Sequence, residues 1–237
     1  MNIYCFFCHQ SFKIDNSQNT TVIAIDVLRA TSTIINALDN GAGEVIPIAE
    51  IADALALKKT YPDAILSGER KGNIIEGFQL GNSPLEFTAE NIGGRRIISC
   101  TTNGTSAICA AQNAGALWLG AITNAPAVAQ KLLQEGKKRV VLLCSGTCGQ
   151  PSLDDVLGAG AIISHLLPDA PHIVLSDAAR IALEIYKAHE HDLWQGLLAS
   201  KHGRKLQSIG YEKDLLFCSQ LGHNQVVPYL EKGILRK

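Results

Sequence analysis

The sequence predicts an α/β protein of three layers, with helices on both faces of a largely parallel β-sheet. Two observations lead to this prediction. Segments rich in Val, Ile, Leu and Ala alternate with segments of helical periodicity along most of the 237 residues, which is typical of strand–helix–strand units. Several apolar segments are nearly continuous, as in central strands that are buried on both faces.

The predicted elements follow one another in a regular order. Each apolar segment ends where polar residues begin, and several helices start at residues that favour a helix N-terminus, such as Thr31 and the pair Ser83 and Pro84. The predicted strands are residues 3–8, 22–28, 44–48, 64–68, 95–100, 116–120 and 139–145. The predicted helices are residues 31–40, 50–60, 84–91, 104–114, 124–135 and 152–166.

The chain changes character after about residue 176. Helical patterns run through residues 178–188, 193–198 and 211–221, and residues 226–228 form a short terminal strand or tail. Because no linker rich in Pro, Gly or Ser separates this part, we predict one domain over residues 1–237, with residues 176–237 as a helical cap or packing layer. The layer is either an internal cap or the surface of a homodimer.

Composition and charge narrow the class of protein and partner. With 46% apolar and 18% charged residues the chain is not disordered, and a net charge of −1 gives no reason to expect nucleic acid as a partner. The first eight residues lack the features of a signal peptide, and no apolar run is long enough to span a membrane. We therefore expect a cytoplasmic protein that acts on a small molecule and does not bind membranes.

The seven cysteines are expected to be reduced thiols, mostly within the core. Cys5, Cys8 and His9 match the string that attaches c-type haem, but they continue a strand-like apolar run, so we interpret them as part of the first strand. None of the histidines lies among the polar clusters described next, which argues against a Cys–His nucleophile pair.

Four polar clusters each follow a predicted strand, at residues 26–31, 68–70, 101–105 and 144–155. The carboxyl ends of parallel strands open onto one crevice in α/β proteins, so clusters in the same position relative to their strands are predicted to share one ligand site. Their carboxylates, guanidinium groups, hydroxyls and helix N-termini indicate that the site handles anions and cations.

Each cluster also has a plain structural explanation. Asp26 and Arg29 would simply pair with each other if the first cluster stood alone. Ser152 and Asp155 have the spacing of a capping box, which gives Asp155 a structural alternative to a catalytic or metal-binding role. Repetition of the pattern at four strand ends favours a functional site.

The residue types favour phosphate chemistry with Mg²⁺. Asp26, Glu69 and one of Asp154 or Asp155 offer oxygen ligands without a histidine cluster, which suits magnesium better than zinc. Magnesium beside two arginines and two helix N-termini is an arrangement for a phosphorylated anion, so phosphate ester hydrolysis or phosphoryl transfer is the predicted reaction class.

Several motifs together resemble the 2-phosphosulfolactate phosphatase family. They are residues 26–34 (DVLRATSTI), 68–70 (GER), 77–84 (GFQLGNSP), 101–105 (TTNGT) and the helix that carries Asp155, in this order. The resemblance runs from about residue 22 to the tail at Val227 and Pro228, whereas the first 20 residues and residues 222–224 depart from the family pattern. It implies a Mg²⁺-dependent phosphatase that converts 2-phosphosulfolactate to sulfolactate and phosphate, a step toward coenzyme M in organisms that make it.

We expect the following roles from the residues and the resemblance together. The catalytic residues are Asp26, Arg29, Glu69, Asn103 and Asp155, with Asp26, Glu69 and Asp155 as the Mg²⁺ ligands. The residues expected to bind substrate are Thr31, Arg70, Asn82, Ser83, Thr101, Thr102, Gly104, Thr105 and Cys144. Arg70, Asn82 and Ser83 would hold the carboxylate or sulfonate of the substrate.

Three alternatives remain open at this stage. The enzyme could hydrolyse the phosphate of another small 2-hydroxy acid. A non-catalytic protein that binds a phosphorylated metabolite would use the same arginines and helix N-termini. A thiol hydrolase would use Cys144 as its nucleophile and would need no metal.

Overall fold

The computed structural model describes residues 1–13, 19–170 and 172–237, and the described strands form one mixed sheet. The early strands are those that the apolar segments predict, and short strands and a terminal hairpin are added to them. The strands are β1 (Asn2–Phe6), β2 (Thr20–Ile25), β3 (Glu44–Pro47), β4 (Ile65–Arg70), β5 (Asn73–Ile74), β6 (Arg96–Cys100), β7 (Ala116–Gly120), β8 (Arg139–Cys144), β9 (Val174–Leu175), β10 (Tyr229–Glu231) and β11 (Ile234–Arg236).

The sheet consists of two parallel groups joined by a hairpin. In the described chain the order is β5-β4-β6-β3-β11-β10-β7-β2-β8-β1-β9. β4, β6 and β3 are parallel to one another, as are β7, β2, β8, β1 and β9. The β10–β11 hairpin pairs antiparallel with β7 on one side and with β3 on the other. The prediction of a three-layer α/β fold with a largely parallel sheet is confirmed.

The helices lie between and after the strands. Most begin within one residue of the predicted position because the apolar periodicity and the start signals agree. They are α1 (Ala30–Asp39), α2 (Ile51–Thr60), α3 (Ala89–Ile92), α4 (Gly104–Ala110), α5 (Ala125–Gln134), α6 (Leu153–Leu166), α7 (Asp177–His189), α8 (Leu193–Ala199), α9 (Lys201–Ser208) and α10 (Glu212–Cys218). No described helix is both long and apolar enough to cross a membrane.

Strand β2 shows how the core is divided between the two faces of the sheet. Ile23 and Ile25 belong to a buried cluster with residues of α5, α6 and α7, whereas Val22 and Ala24 belong to a second cluster with residues of α1 and α4. Alternate side chains of a strand point to opposite faces, so a strand covered on both sides must be apolar throughout. This arrangement buries β2 and fixes the position of the loop that follows it.

Three local predictions were wrong in detail. Residues 84–91, predicted as one helix, form a 3-10 turn (Pro84–Glu86) followed by the short α3. The first strand ends at Phe6, before Cys8 and His9. The tail at residues 226–228 precedes a hairpin whose turn is formed by Lys232 and Gly233, both with positive φ, as a tight hairpin turn requires.

Candidate active site

Asp26 comes directly after β2 and anchors the loop that leads into α1. Its Oδ1 accepts a hydrogen bond from the backbone N–H of Ala30 at 3.1 Å. Thr31, predicted to cap the helix or bind substrate, is fully buried; its hydroxyl accepts the N–H of Asp26 and lies within donating distance of the carbonyls of Asp26 and Gly120. Thr31 therefore holds the loop in place, and the loop holds the Asp26 carboxylate.

Ser145, directly after the neighbouring strand β8, and Asp155, in the first turn of α6, both lie close to Asp26. Ser145 Oγ lies 3.0 Å from Asp26 Oδ2 and 3.0 Å from Asp155 Oδ2. Asp155 also accepts the backbone N–H groups of Val27 and Gly146, each at 2.9 Å. The two aspartates, which are 129 positions apart in sequence, thus share one hydroxyl group and tie together the loops after β2 and β8.

The capping-box interpretation of Asp155 was wrong. Ser152 is the N-cap residue of α6 but makes no side-chain capping hydrogen bond; its hydroxyl lies 2.5 Å from Asp154 Oδ1. Because the helix starts without that cap, Asp155 is directed at the strand ends instead of at its own helix.

Burial strongly affects the protonation of these carboxylates. Burial raises the pKa of Asp26 to about 6, although the nearby His202 opposes the rise. The pKa of Asp155 is raised well above its usual range by burial and by the negative charges of Asp154 and Asp26. A hydroxyl has only one proton to donate, so Ser145 cannot satisfy both aspartates when both are ionised. With both aspartates ionised, the buried cluster would carry more negative charge than its own hydrogen bonds balance, which is why the pKa of each is raised.

Arg29 lies within the same loop but does not pair with Asp26, so that alternative was also wrong. Its guanidinium is buried and binds Asp214 Oδ2 at 2.5 Å and the carbonyl of Gly72 at 3.3 Å. The ring of Tyr211 lies under it, with its centroid 4.1 Å from Cζ. Contacts with a carboxylate and with an aromatic face are those that guanidinium groups favour.

Glu69, at the end of β4, lies on the same side as Arg29. It accepts the N–H groups of Thr102 at 2.9 Å and Gly72 at 2.8 Å. Burial opposes its ionisation, but these hydrogen bonds, the Thr102 hydroxyl and the charge of Arg29 outweigh burial and lower its pKa. Glu69 is therefore a carboxylate that stays charged, and Gly72 links it to Arg29.

Gly104 brings the third cluster against the first. A Cβ atom at this position would lie 2.9 Å from Asp26 Oδ2 and 2.4 Å from the Cβ of Ala30, so a side chain does not fit. Thr101 and Thr105 bind each other, since the Thr101 hydroxyl accepts the N–H of Thr105 and the Thr105 hydroxyl donates to the Thr101 carbonyl. Asn103 precedes α4 and makes no side-chain capping hydrogen bond.

Several predicted substrate-binding residues are engaged elsewhere. Arg70 donates to the carbonyl of Ala49 at 2.8 Å and contacts the carbonyl and Sγ of Cys100. Ser83 donates to Asp214 Oδ1 at 2.7 Å. Asn82 is buried, and its backbone carbonyl accepts the hydroxyl of Thr33, which fixes the main chain at this position and leaves its side-chain amide unassigned.

Cys144 lies within the core and not at the surface of the site. Its side chain is fully buried in the last position of β8. A hydrogen bond with Cys5, together with burial, raises its pKa well above the usual range of a thiol. A nucleophilic cysteine needs an accessible thiolate, so this environment argues against both a contact with substrate and a thiol mechanism.

Comparison with known proteins shows the family to which the chain is related. The family described as 2-phosphosulpholactate phosphatase matches residues 7–233. Similar proteins are the probable 2-phosphosulfolactate phosphatases of Carboxydothermus hydrogenoformans, 42% identical over 94% of this chain and 92% of that protein, and of Caldanaerobacter subterraneus subsp. tengcongensis, 39% identical over 96% and 97%. The corresponding protein of Clostridium tetani is 36% identical over the full length of both chains.

The chain belongs to the 2-phosphosulfolactate phosphatase family. It is accordingly a phosphoric monoester hydrolase. The match begins at residue 7 and includes residues 222–224, so it is longer than the sequence motifs alone indicate. The part of the chain that matches the family therefore includes both the strand-end clusters and the C-terminal helices that contact them.

Four residues near the candidate site were given no role from the sequence, namely His9, Ser145, His202 and Asp214. Ser145 follows a buried strand, a position that could have singled it out. Asp214 has no such signal, because it lies on an amphipathic helix far along the chain. His9 Nδ1 lies 2.6 Å from the carbonyl oxygen of Ser145, and His202 Nδ1 lies 3.9 Å from Asp154 Oδ2, so two histidines do come close to the clusters.

The donor chemistry of the phosphatase site fits a hard divalent cation. Asp26 and Asp155 bring carboxylate oxygens to the same hydroxyl of Ser145, and a cation bound there would balance the charge of the two carboxylates when they ionise. Among the described residues, no three His, Cys, Asp or Glu side chains form a group that could hold a metal by themselves. Mg²⁺ commonly takes only one or two carboxylates from a protein, with water and phosphate as its other ligands.

Proposed function

We propose that this phosphatase hydrolyses 2-phosphosulfolactate to 3-sulfolactate and phosphate with Mg²⁺ as its cofactor, a step in coenzyme M synthesis where that pathway exists. The names of the relatives support the substrate. The observation that carries the proposal is the position of Arg29, a buried cation in the same short loop that begins with the Asp26 carboxylate. In this arrangement the cation would bind the phosphate ester, and the neighbouring carboxylate would supply or orient the group that attacks it.

Arg29 would bind the phosphate oxygens. A guanidinium has five N–H donors, and Asp214 and Gly72 occupy two of them. The other three have no partner among the residues that the structure describes, so they are available to an anion. Phosphate is recognised well by a planar guanidinium, because two parallel N–H groups match two of its oxygens.

The carboxylates would hold the cation. Asp26 and Asp155 are the proposed protein ligands of Mg²⁺, with Glu69 as the third carboxylate on the Arg29 side. When bound, Mg²⁺ would neutralise phosphate oxygens and favour the loss of the leaving group. Ser145 would then donate to one aspartate while the cation balances the charge of the other.

Asp26 would supply or orient the attacking oxygen. Both of its carboxylate oxygens have fixed positions, one set by the N–H of Ala30 and the other by Ser145. Trapping of a labelled phosphoenzyme distinguishes attack by Asp26 from attack by water. Loss of the label in Asp26→Asn but not in Asp155→Asn would identify Asp26 as the nucleophile.

Asn103 is the residue that we propose for the acid groups of the substrate. Its amide makes no capping bond and lies next to Gly104, which contacts Asp26. An amide can donate to a carboxylate or a sulfonate without adding charge. Asn103 would thus have the role expected of Ser83 and Arg70. The side chain of Ser83 is bound to Asp214, and that of Arg70 is bound to Ala49 and Cys100.

Phosphate release tests this function. Chelator-treated protein is assayed with 2-phosphosulfolactate, 2-phospholactate, phosphoglycerate and an aryl phosphate, with and without Mg²⁺. Mg²⁺-dependent release that favours 2-phosphosulfolactate supports the proposal. A preference for one of the other phosphorylated acids would contradict the proposed substrate. Full activity without Mg²⁺ would contradict the proposed cofactor, and binding without turnover would favour a non-catalytic binding protein.

A further inference from the structure

We infer that helix α10 and the turn before it belong to the phosphate site, with Asp214 as the positioning residue of Arg29. The inference rests on the proposed role of Arg29 in binding phosphate. It assigns a function to the C-terminal helical layer, which sequence analysis treats only as a cap, a packing layer or a dimer surface.

The contacts of Asp214 are those of a residue that fixes another side chain. The side chains of Asp214 and Arg29 are each only 3% exposed, and their charged atoms lie 2.5 Å apart. The second carboxylate oxygen of Asp214 accepts the hydroxyl of Ser83 at 2.7 Å. With one oxygen held by Ser83, the carboxylate cannot rotate freely, so it holds Arg29 in one orientation.

Two further contacts set the plane of the guanidinium. The Tyr211 ring, one turn before Asp214 on the same segment, lies 4.1 Å from Cζ of Arg29. The Gly72 carbonyl, at the tip of the β4–β5 hairpin, accepts a hydrogen bond from the other terminal nitrogen, Nη2. Three contacts from two separate segments of the chain therefore hold the guanidinium, and its remaining N–H groups point in a fixed direction.

Such a fixed cation is useful for catalysis rather than for stability. A buried ion pair contributes little net stability because both charges lose their hydration. Donors that are already oriented do stabilise the charge that develops in a transition state, because they need no rearrangement when the reaction occurs. Asp214 would thus act on the reaction through Arg29, without touching the substrate.

The test is a double-mutant cycle between Asp214 and Arg29. Asp214→Asn keeps the size of the side chain and removes its charge, and Glu212→Gln makes the same change at an exposed position of the same helix. We expect Asp214→Asn to lower kcat/KM by about 10- to 100-fold and to weaken inhibition by inorganic phosphate. In an Arg29→Lys background the same change should cost at most about 3-fold, since the residue that it orients is already altered. Glu212→Gln should have no effect in either background.

A milder variant keeps the test informative if Asp214→Asn does not fold. Ser83→Ala leaves the ion pair in place and removes only the hydrogen bond that orients Asp214. We expect it to raise the inhibition constant of phosphate as Asp214→Asn does, by a smaller factor, with a smaller fall in melting temperature because only one hydrogen bond to the buried carboxylate is lost.

The outcomes separate this inference from the proposed function. Equal losses of kcat/KM in the wild-type and Arg29→Lys backgrounds, or an unchanged phosphate affinity in both Asp214→Asn and Ser83→Ala, would overturn the positioning role while leaving the hydrolase intact. A wild-type protein that binds inorganic phosphate but hydrolyses no ester would overturn the proposed function alone. In that case the phosphate affinities of the same variants, measured by calorimetry, still decide the role of Asp214.

Discussion

Two regions of the candidate active site contain charges in opposite arrangements. The carboxylate cluster of Asp26, Ser145 and Asp155 places like charges together, and burial raises the pKa of both aspartates. The arginine clamp of Arg29 and Asp214 places opposite charges together at 2.5 Å, equally buried. The first region is destabilised by repulsion between its own charges, so it favours the binding of a cation. The second region is neutral overall, and its Arg29 has further N–H groups with which to bind an anion.

The comparison shows how one site can bind both a cation and a phosphate. Like charges that are buried together lower the stability of the empty protein, and a bound cation relieves that cost. The clamp avoids such a cost because each charge has a partner, and loses stability only when one partner is removed. Removal of a charge should therefore have opposite effects on stability in the two regions.

The largest expected effect is the loss of one partner of the clamp. Arg29→Leu leaves Asp214 as an unpaired buried carboxylate, so the free energy of unfolding at pH 7 should fall by about 3–5 kcal/mol. Denaturant unfolding measures this change, and Arg180→Leu on the exposed side of α7 is the matched control. If Arg29→Leu is as stable as the wild type, the conclusion that the two regions respond oppositely to the loss of a charge is contradicted.

Loss of a charge in the carboxylate cluster should act in the other direction. In chelator-treated protein, Asp26→Asn should raise the free energy of unfolding at pH 7 by about 2–3 kcal/mol, which corresponds to the rise of the Asp26 pKa from 3.8 to about 6. Phosphatase activity should fall by about 1,000-fold or more, since the attacking group is lost. Asp53→Asn, at an exposed position, controls for the change in net charge.

The stability gained in Asp26→Asn should depend on pH, and the sign of the Asp26 pKa shift determines how. The folded state holds the Asp26 proton more tightly than the unfolded state, so the wild type is at no disadvantage below about pH 4 and loses stability as the pH rises to about 6. The difference between Asp26→Asn and the wild type should therefore be near zero at pH 3.5 and reach its full size by pH 7. A difference that does not change with pH would contradict the proposed charge effect.

Gly104→Ala tests how closely the third cluster packs against the carboxylate cluster. The added methyl group would press on Ala30 and Asp26, so we expect a loss of about 1–3 kcal/mol in stability together with a drop in kcat. Thermal unfolding and phosphate release measure the two effects. Ser106→Ala on the same helix should change neither appreciably.

The smallest effect is expected at Cys144. Cys144→Ala removes a buried thiol that the proposed reaction does not use, so activity should stay within about 2-fold of the wild type and stability should fall by about 1 kcal/mol. The assay is phosphate release, with Cys109→Ala on α4 as a second thiol substitution. Complete loss of activity in Cys144→Ala would instead point to the thiol mechanism.

Much of the fold follows from local patterns in the sequence. Continuous apolar segments predict strands such as β2 and β8, because a central strand must be apolar on both faces. The β10–β11 hairpin could not be placed in the same way. Its two strands of three residues have no strong pattern of their own, and their position between β7 and β3 depends on chain segments more than 100 residues away.

The residues of the candidate site also divide into those that local sequence patterns indicate and those that they do not. Asp26, Arg29, Glu69 and Asp155 are evident from their positions after strands or at a helix start. Their partners are not: Arg29 pairs with Asp214 at a separation of 185 residues, and the hydroxyl that joins Asp26 to Asp155 comes from Ser145. Ser83 and Arg70 have side chains suitable for an anion, but contacts formed only in the folded chain occupy them.

By itself, the sequence determined the fold class, the family resemblance and the residues that carry charge at the strand ends, because these depend on local periodicity and on short motifs. Only the tertiary structure decided which charges face each other. Burial and distance set both the raised pKa of Asp26 and the ion pair of Arg29, and neither quantity exists until distant segments pack together. From the sequence alone the same residues could equally have formed an Asp26–Arg29 pair, whereas in the folded chain Arg29 pairs with Asp214 and leaves Asp26 to Ser145 and Ala30.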